Sequence, residues 1–180
     1  FQLPLIVHSG VDGESIDRII DIIQDEIHKI SYDPIVHFEV ISKCKLILHD
    51  AITACNGSID RLKKLIALDF YFMVSAIDTS MRNNQESLNI LRSIPLNKLL
   101  VCTDSPWNTP VTITDEFIRN AKNEPSNIPY VIDSIWDAYS NQNESIDSNS
   151  LMNIEQFRAN IYENSMLVFG FHGSNIESND

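Results

Sequence analysis

Three side chains that can bind a metal ion follow apolar runs in this sequence: His8, His49 and Asp104. Each run is typical of a strand that is buried on both faces of a parallel sheet. In a barrel of alternating strands and helices, the carboxyl ends of such strands meet at one rim, and the working residues of the fold lie there. Neutral imidazoles and a carboxylate suit zinc, manganese or a similar divalent cation. The sequence therefore predicts a metal site at this rim, where a bound cation would hold a phosphate oxygen and lower the pKa of a coordinated water.

Several of these residues also allow a purely structural interpretation. A histidine that ends an apolar run can be a hydrogen-bonded structural residue, and Asp104 can cap the turn into Ser105-Pro106. His37 also ends an apolar run and competes with His49 for the ligand role. The helix start at Gly57-Ser58 aligns better from His49, which is therefore the predicted ligand.

The composition indicates one globular domain with an acidic surface. Of the 180 residues, 43% are hydrophobic and 21% are charged, which is ordinary for a folded domain. The 13 basic and 25 acidic residues give a net charge of -12, which argues against broad electrostatic adhesion to nucleic acid or to anionic membranes. A phosphate-containing partner would therefore need local help, such as a bound cation.

Cysteine usage and hydropathy indicate a protein of the cytoplasm or the nucleus. The 3 cysteines follow no Cys-x-x-Cys spacing, so neither a disulfide scaffold nor a thiolate zinc site is expected. No apolar stretch approaches the roughly 18 residues of a membrane-spanning helix, and the first residues show no secretory signal pattern. We therefore expect a reducing compartment and no membrane contact.

Strand and helix patterns alternate along the chain, as they do in βα units with a parallel sheet. Helices are predicted where apolar residues recur at spacings of three and four, with Ser58 and Asn153 as N-caps of two of them. The basic residues Arg61, Lys63 and Lys64 are expected on the solvated face of the helix that follows Ser58.

The number of predicted strands limits how much of a βα barrel this chain can form. About four strands are predicted from the apolar runs, whereas a closed eight-stranded βα barrel takes roughly 250 residues. The expected fold is therefore α/β and amounts to about half of such a barrel. Residues 1–170 would form this portion of the barrel domain and residues 171–180 a polar tail. The missing half of the barrel is an expected partner, and little or no activity is expected of this chain by itself.

Short segments spread over nearly the whole chain match the motifs of one family, in family order. They are Pro4–Ser9, His49 with Gly57–Asp60, Ile94–Leu100, Thr103–Trp107, Asn123–Pro125 and Asn164–Phe169. This ordered set resembles the TatD family of metal-dependent deoxyribonucleases, and especially its fungal-type cytosolic branch. The resemblance implies an α/β fold, a TIM (β/α)8 barrel of the metal-dependent hydrolase type that is present here as roughly its C-terminal half, so that the missing partner is an N-terminal half of the barrel. It also implies a hydrolase with one or two divalent ions (Zn, Mg or Mn) that cleaves phosphodiester bonds in DNA.

The resemblance also implies roles for the predicted metal ligands. His8 and His49 match two histidine ligands of the family. Asp104 matches the aspartate that binds the metal and that orients or deprotonates the attacking water, so it is the predicted catalytic residue.

Three further residues are predicted to contact the substrate. Asn123 and Glu124 match a rim loop that lies near the substrate in the family. Trp107 follows the Asp104 strand and can stack on a nucleobase, although an aromatic wedge that packs the rim loop is an equal alternative.

The chain departs from the family pattern at several ligand positions. Family members begin with a strand that bears a His-x-His pair and supply a glutamate from a later strand, and this sequence has neither. Cys102 stands where the family has a glutamate two residues before Asp104, and we expect it to be a small buried core residue that shares a strand face with Asp104. These departures favour a second hypothesis, in which the protein is a catalytically weak or inactive relative that acts as an interaction scaffold.

Overall fold

A computed structural model of the chain describes residues 3–8, 13–32, 44–76, 78, 84–140 and 152–170. The competing histidine His37 and the predicted tail at residues 171–180 lie outside these ranges. What the sequence predicts for them therefore stays a prediction.

The described strands form one parallel sheet of four strands in the order β1-β2-β3-β4. The strands are β1 (Leu5–Val7), β2 (Leu46–His49), β3 (Tyr71–Val74) and β4 (Leu99–Val101). Each strand pairs with the next one along the chain, as in one arc of a βα barrel. The predicted α/β class with a parallel sheet is thus confirmed, and the sheet is consistent with a partial barrel.

Helices follow or connect the strands. They are α1 (Gly13–Tyr32), α2 (Ala51–Cys55), α3 (Ile59–Ala67), α4 (Gln85–Ser93), α5 (Glu116–Asn120), α6 (Ile128–Ser140) and α7 (Ile154–Phe169), with 3-10 turns at Leu96–Lys98 and Pro125–Asn127. Ser58 accepts a hydrogen bond from the backbone of Arg61 at the start of α3, and Asn153 forms a capping box with Gln156 at the start of α7. Both predicted N-caps are therefore confirmed. Every helix among the described residues is too short or too polar to span a lipid bilayer.

The two faces of the central strands pack into two apolar clusters. Ile47 and Leu48 are neighbours on β2, point to opposite faces and are both fully buried, as expected for a strand covered on both sides. One cluster joins the sheet to the helices and includes Ile16, Ile20, Leu48, Phe72, Leu99, Val131, Ile135 and Phe157. The other, on the opposite face, consists of Ile47, Tyr71, Met73, Leu100 and Val168.

Strand β1 departs from the buried run that the sequence predicts. Leu5 is 53% exposed and Ile6 is 49% exposed. The reason is topological, because β1 lies at one edge of this sheet and only β2 pairs with it among the described strands. The carboxyl end of β1 nevertheless lies beside that of β2.

The predicted solvated face of α3 is confirmed for Lys63 and Lys64, but Arg61 is only partly exposed and makes specific contacts. Its guanidinium donates from Nε and Nη2 to the two carboxylate oxygens of Asp17 on α1, at 2.9 Å each. Its Nη1 also donates to the carbonyl oxygen of Cys55 at 3.3 Å, at the end of α2. Arg61 therefore joins three helices, whereas Lys63 on the same helix stays largely exposed.

Candidate metal centre

Two parallel strands bring His8 and His49 together. His49 is the last residue of β2, and His8 directly follows β1. The register pairs Val7 with Leu48, so the next residue of each strand reaches the same rim. The two imidazole rings stack with their centroids 5.0 Å apart and their planes inclined by 25°. The structure thus places the two predicted histidine ligands next to one another.

The carboxylate that joins them belongs to Asp50. Its Oδ2 atom lies 3.4 Å from Nε2 of His8 and 3.0 Å from Nδ1 of His49. One donor atom from each of these three residues lies within 4.8 Å of the other two, which suits a shared cation. We call this set the His-His-Asp cluster.

Sequence reasoning did not assign a role to Asp50. The backbone of Asp50 is left-handed, with φ of 50° and ψ of 51°, a conformation that Asp tolerates better than most residues. An aspartate directly after a strand-ending histidine is the only sequence signal that could have pointed to it.

Buried polar atoms without partners show that the cluster suits a cation. Nδ1 of His49, Oδ1 of Asp50 and Oγ of Ser75 are buried and make no hydrogen bond. The His49–Asp50 contact has the length of an ion pair without the geometry of a hydrogen bond. Buried polar atoms without partners are costly and rare, and a divalent ion would engage the nitrogen and the carboxylate oxygen. The donor chemistry therefore fits zinc, manganese or magnesium.

Neighbouring side chains shift the pKa values of His49 and Asp50 so that both side chains favour their charged forms. Asp50 and then Cys102 raise the pKa of His49 to about 10, against the opposing effect of burial. Burial raises the pKa of Asp50, but the neighbouring His49 and Ser75 side chains outweigh it, so that this pKa is lowered. His49 and Asp50 thus form an imidazolium–carboxylate pair, and a cation that binds His49 would displace its proton.

Cys102 contacts the same histidine from the other side. Its Sγ atom lies 3.5 Å from Nε2 of His49. The residue is only partly buried, although it also packs against the apolar cluster that contains Ile47 and Leu100. The expectation that Cys102 is simply a buried core residue is therefore wrong, because its sulfur faces a polar partner at the rim.

Asp104 follows β4 at the same end of the sheet but does not join the cluster. Its carboxylate accepts a hydrogen bond from the Asn108 amide, and its carbonyl oxygen accepts one from the backbone of Trp107 at 2.9 Å. Its backbone is also left-handed, with φ of 58°. Among the residues that the structure describes, no set of three close donors includes Asp104. Its predicted role as a ligand stays a prediction.

The three predicted substrate contacts differ in exposure. Trp107 is 69% exposed, and Glu124 is exposed beside Ser126, whose hydroxyl lies 3.3 Å from its carboxylate. Asn123 is buried, and its amide nitrogen donates to the carbonyl oxygens of Thr103 and Trp107 at 2.6 Å each. Asn123 thus anchors the rim loop, while Trp107 and Glu124 remain accessible to a ligand.

A buried acid behind the cluster was not anticipated from the sequence. Asp78 accepts hydrogen bonds from the backbone and the hydroxyl of Thr53, at 2.9 and 2.8 Å, and from the backbone of Ser75 at 3.3 Å. Burial raises the pKa of Asp78 to about 7, despite these hydrogen bonds. Asp78 thereby ties the first turn of α2, which follows Asp50, to the end of β3.

Comparisons with known proteins match this chain to one family. The family model for TatD-related DNases matches residues 1–178. The chain is 33% identical over 128 residues to an uncharacterized metal-dependent hydrolase of Buchnera aphidicola, covering 71% of this chain and 39% of that protein. It is 28% identical over 88 residues to a protein of Vairimorpha ceranae whose name describes it as a deoxyribonuclease TATDN1 homologue, covering 48% of this chain and 33% of that protein.

A solved structure agrees at the level of the fold. A hydrolase of the TatD family from Entamoeba histolytica superposes with a TM-score of 0.60 at 17% identity, covering 93% of this chain and 51% of that one. The chain thus spans about half, or less, of the length of these relatives. Because the family model extends over almost every residue, the chain belongs to the family of TatD-related DNases.

Proposed function

We propose that the complete protein is a metal-dependent hydrolase that cleaves phosphodiester bonds in DNA. The observation that supports this most directly is the His-His-Asp cluster, in which three donors from one rim lie within 4.8 Å of one another. The family and the metal-dependent hydrolase among its relatives support the same reaction class.

The cluster supplies the cation site in this proposal. His8, His49 and Asp50 would hold one divalent ion, zinc, magnesium or manganese, and a complete site would hold one or two. When bound, the ion neutralises phosphate charge and lowers the pKa of a water molecule. Because the chain carries a net charge of -12, the ion also provides the local attraction that a polyanion needs at this surface.

Asp104 is the proposed catalytic residue. It lies on the rim formed by the carboxyl ends of the strands, two residues after the cysteine that contacts His49. Its carboxylate orients the attacking water and accepts its proton, which is ordinary general-base chemistry. The resemblance also makes Asp104 a metal ligand. Among the described residues, the set of three close donors does not include Asp104, so the proposal gives it the general-base role first.

The exposed side chains of the rim loop are the proposed substrate contacts. Trp107 stacks on a base, as aromatic side chains do in grooves that bind single strands. Glu124 lies on the same loop, and Asn123 acts there indirectly, by holding the loop that carries Trp107.

A second candidate function is a scaffold with weak or no catalysis. The observation that favours it is the cysteine at position 102, where the family has a glutamate, together with a donor set of three residues. The proposed location of the protein under either function is the cytoplasm or nucleus, because the spacing of its 3 cysteines is not typical of a disulfide scaffold.

Metal content and DNA cleavage of the parent protein distinguish the two functions. We expect His8→Ala and His49→Ala to lose both the metal and cleavage, and Asp104→Asn to lose cleavage. Lys63→Ala, at an exposed site on α3, serves as the control. Unchanged metal binding in both histidine variants would refute the site, and a metal-loaded wild type that cleaves no DNA would favour the scaffold.

A further inference from the structure

Each of the two nitrogens of the His49 imidazole faces another side chain. Nδ1 faces Oδ2 of Asp50 at 3.0 Å, and Nε2 faces Sγ of Cys102 at 3.5 Å. The sulfur is held in place by the sheet, because the backbone nitrogen of Cys102 donates to the carbonyl oxygen of Val74 at 3.1 Å. The ring is thus held between its neighbour in sequence and a residue that follows another strand.

A histidine that binds a metal through one nitrogen normally donates the N–H of the other to a fixed acceptor. That second contact sets the tautomer and the orientation of the ring, and its loss weakens metal binding. Sulfur is a weak acceptor, but it can fill this role when it is held at the right place.

We propose that Cys102 is the positioning residue of His49. Nε2–H of His49 donates to Sγ of Cys102, and the ring is held so that Nδ1 faces the cation site beside Asp50, where its lone pair becomes available to a cation that displaces the Nδ1 proton. This inference rests on the proposed function in that it takes His49 as a metal ligand. It gives Cys102 a role that neither a core residue nor a direct ligand would have.

The geometry separates this role from direct ligation. Among the described residues, the close donor set contains His8, His49 and Asp50 but not Cys102. The sulfur approaches His49 at the nitrogen opposite to the one that faces Asp50. Cys102 therefore lies behind the ring with respect to the cluster.

Two variants and a matched control test the proposal. Cys102→Ala removes the acceptor, and Cys102→Ser replaces it with a hydroxyl that keeps one. Cys44→Ala is the control, because it removes a similar sulfur contact, 3.6 Å from the carbonyl oxygen of Leu3, at the opposite end of the strands.

The first readout needs no metal. In nitrogen-edited NMR of the metal-free protein, the Nε2–H proton of His49 should give a slowly exchanging signal in the wild type, Cys102→Ser and Cys44→Ala. The signal should be lost to fast exchange in Cys102→Ala. A merely structural role for Cys102 would leave this proton unaffected.

The second readout is calorimetric titration with Zn²⁺. Cys102→Ala should bind Zn²⁺ about tenfold more weakly than the wild type does. The affinity of Cys102→Ser should lie within about threefold of the wild-type value, because the hydroxyl still accepts a hydrogen bond. Cys44→Ala should bind Zn²⁺ as tightly as the wild type. Wild-type values for Cys102→Ala in both readouts would overturn the proposal. A sulfur-to-cobalt charge-transfer band in the Co²⁺-loaded wild type, absent from Cys102→Ser, would also overturn it by making the sulfur a direct ligand.

The proposed function can fail separately. The metal site would be refuted if the wild type bound no Zn²⁺. The positioning of His49 by Cys102 would still be supported if the Nε2–H signal were lost only in Cys102→Ala. If Zn²⁺ binds and the Nε2–H signal of Cys102→Ala equals that of the wild type, the metal site is supported and the positioning role of Cys102 is refuted.

Discussion

Asp50 turns its carboxylate back onto the imidazole of His49, the residue directly before it, with Oδ2 at 3.0 Å from Nδ1. Successive residues of a regular strand point to opposite faces, so this contact requires the backbone to leave the strand conformation. The left-handed conformation of Asp50, with φ of 50°, provides that change. The same turn brings the carboxylate within 3.4 Å of His8 on the neighbouring strand.

Asp78 should make the folded state less stable as the pH rises. Its pKa is raised from 3.8 to about 7 by burial, so the folded protein holds a proton that the unfolded chain has already lost. Between these two values the free energy of unfolding should fall by up to about 1.4 kcal/mol per pH unit. Asp78→Asn keeps an acceptor for Thr53 but has no carboxyl group to titrate. Its free energy of unfolding should therefore fall less steeply with pH than that of the wild type.

Denaturant unfolding across that pH range measures the difference between the two proteins. Other groups titrate equally in both, so their contributions cancel in the comparison. A slope that is identical in the wild type and Asp78→Asn would contradict the buried, proton-binding state of Asp78.

The ion pair between Arg61 and Asp17 should contribute modestly to stability. Both side chains are partly exposed, so solvent weakens the attraction, and Arg61→Ala should lower the free energy of unfolding by about 1 kcal/mol. Lys63→Ala is the matched control, because Lys63 and its partner Asp60 are mostly exposed and 3.7 Å apart. Urea unfolding should give Lys63→Ala nearly the same free energy of unfolding as the wild type. An equal loss of unfolding free energy in both variants would exclude a specific role for Arg61.

Asn123 should be needed for the order of the rim loop. Asn123→Ala leaves the buried carbonyl oxygen of Thr103 and the carbonyl oxygen of Trp107 without their donor, at a cost of about 2 kcal/mol. For a chain of this size that corresponds to a drop of about 4–8 °C in Tm. Glu124→Ala, on the exposed side of the same loop, should change Tm little in a calorimetric scan. A wild-type Tm for Asn123→Ala would show that other contacts hold the loop.

The sheet and the two histidines could be predicted because the signals are local. An apolar run that ends in a polar side chain marks the end of a buried strand, and parallel pairing then places His8 beside His49. The caps at Ser58 and Asn153 are local for the same reason. Such features depend on a few consecutive residues.

Other features depend on backbone conformation or on distant contacts, and the sequence did not reveal them. The role of Asp50 requires a left-handed turn, which no pattern of apolar residues encodes. The contact of Cys102 with His49 joins residues 53 positions apart, and the pairing of Arg61 with Asp17 joins residues 44 positions apart. Helix α2 has only 5 residues, too few for a periodic signal.

Calorimetric titration of Zn²⁺ into Asp50→Asn and Asp104→Asn shows whether Asp50, together with His8 and His49, holds the cation. Asparagine tolerates the left-handed backbone at both positions, so each variant changes the ligand and keeps the turn. We predict that Asp50→Asn binds Zn²⁺ at least about tenfold more weakly than the wild type, because a carboxylate ligand of the metal is lost. Asp104→Asn should bind Zn²⁺ nearly as tightly as the wild type. Wild-type affinity in Asp50→Asn together with lost binding in Asp104→Asn would exclude Asp50 and make Asp104 the carboxylate ligand.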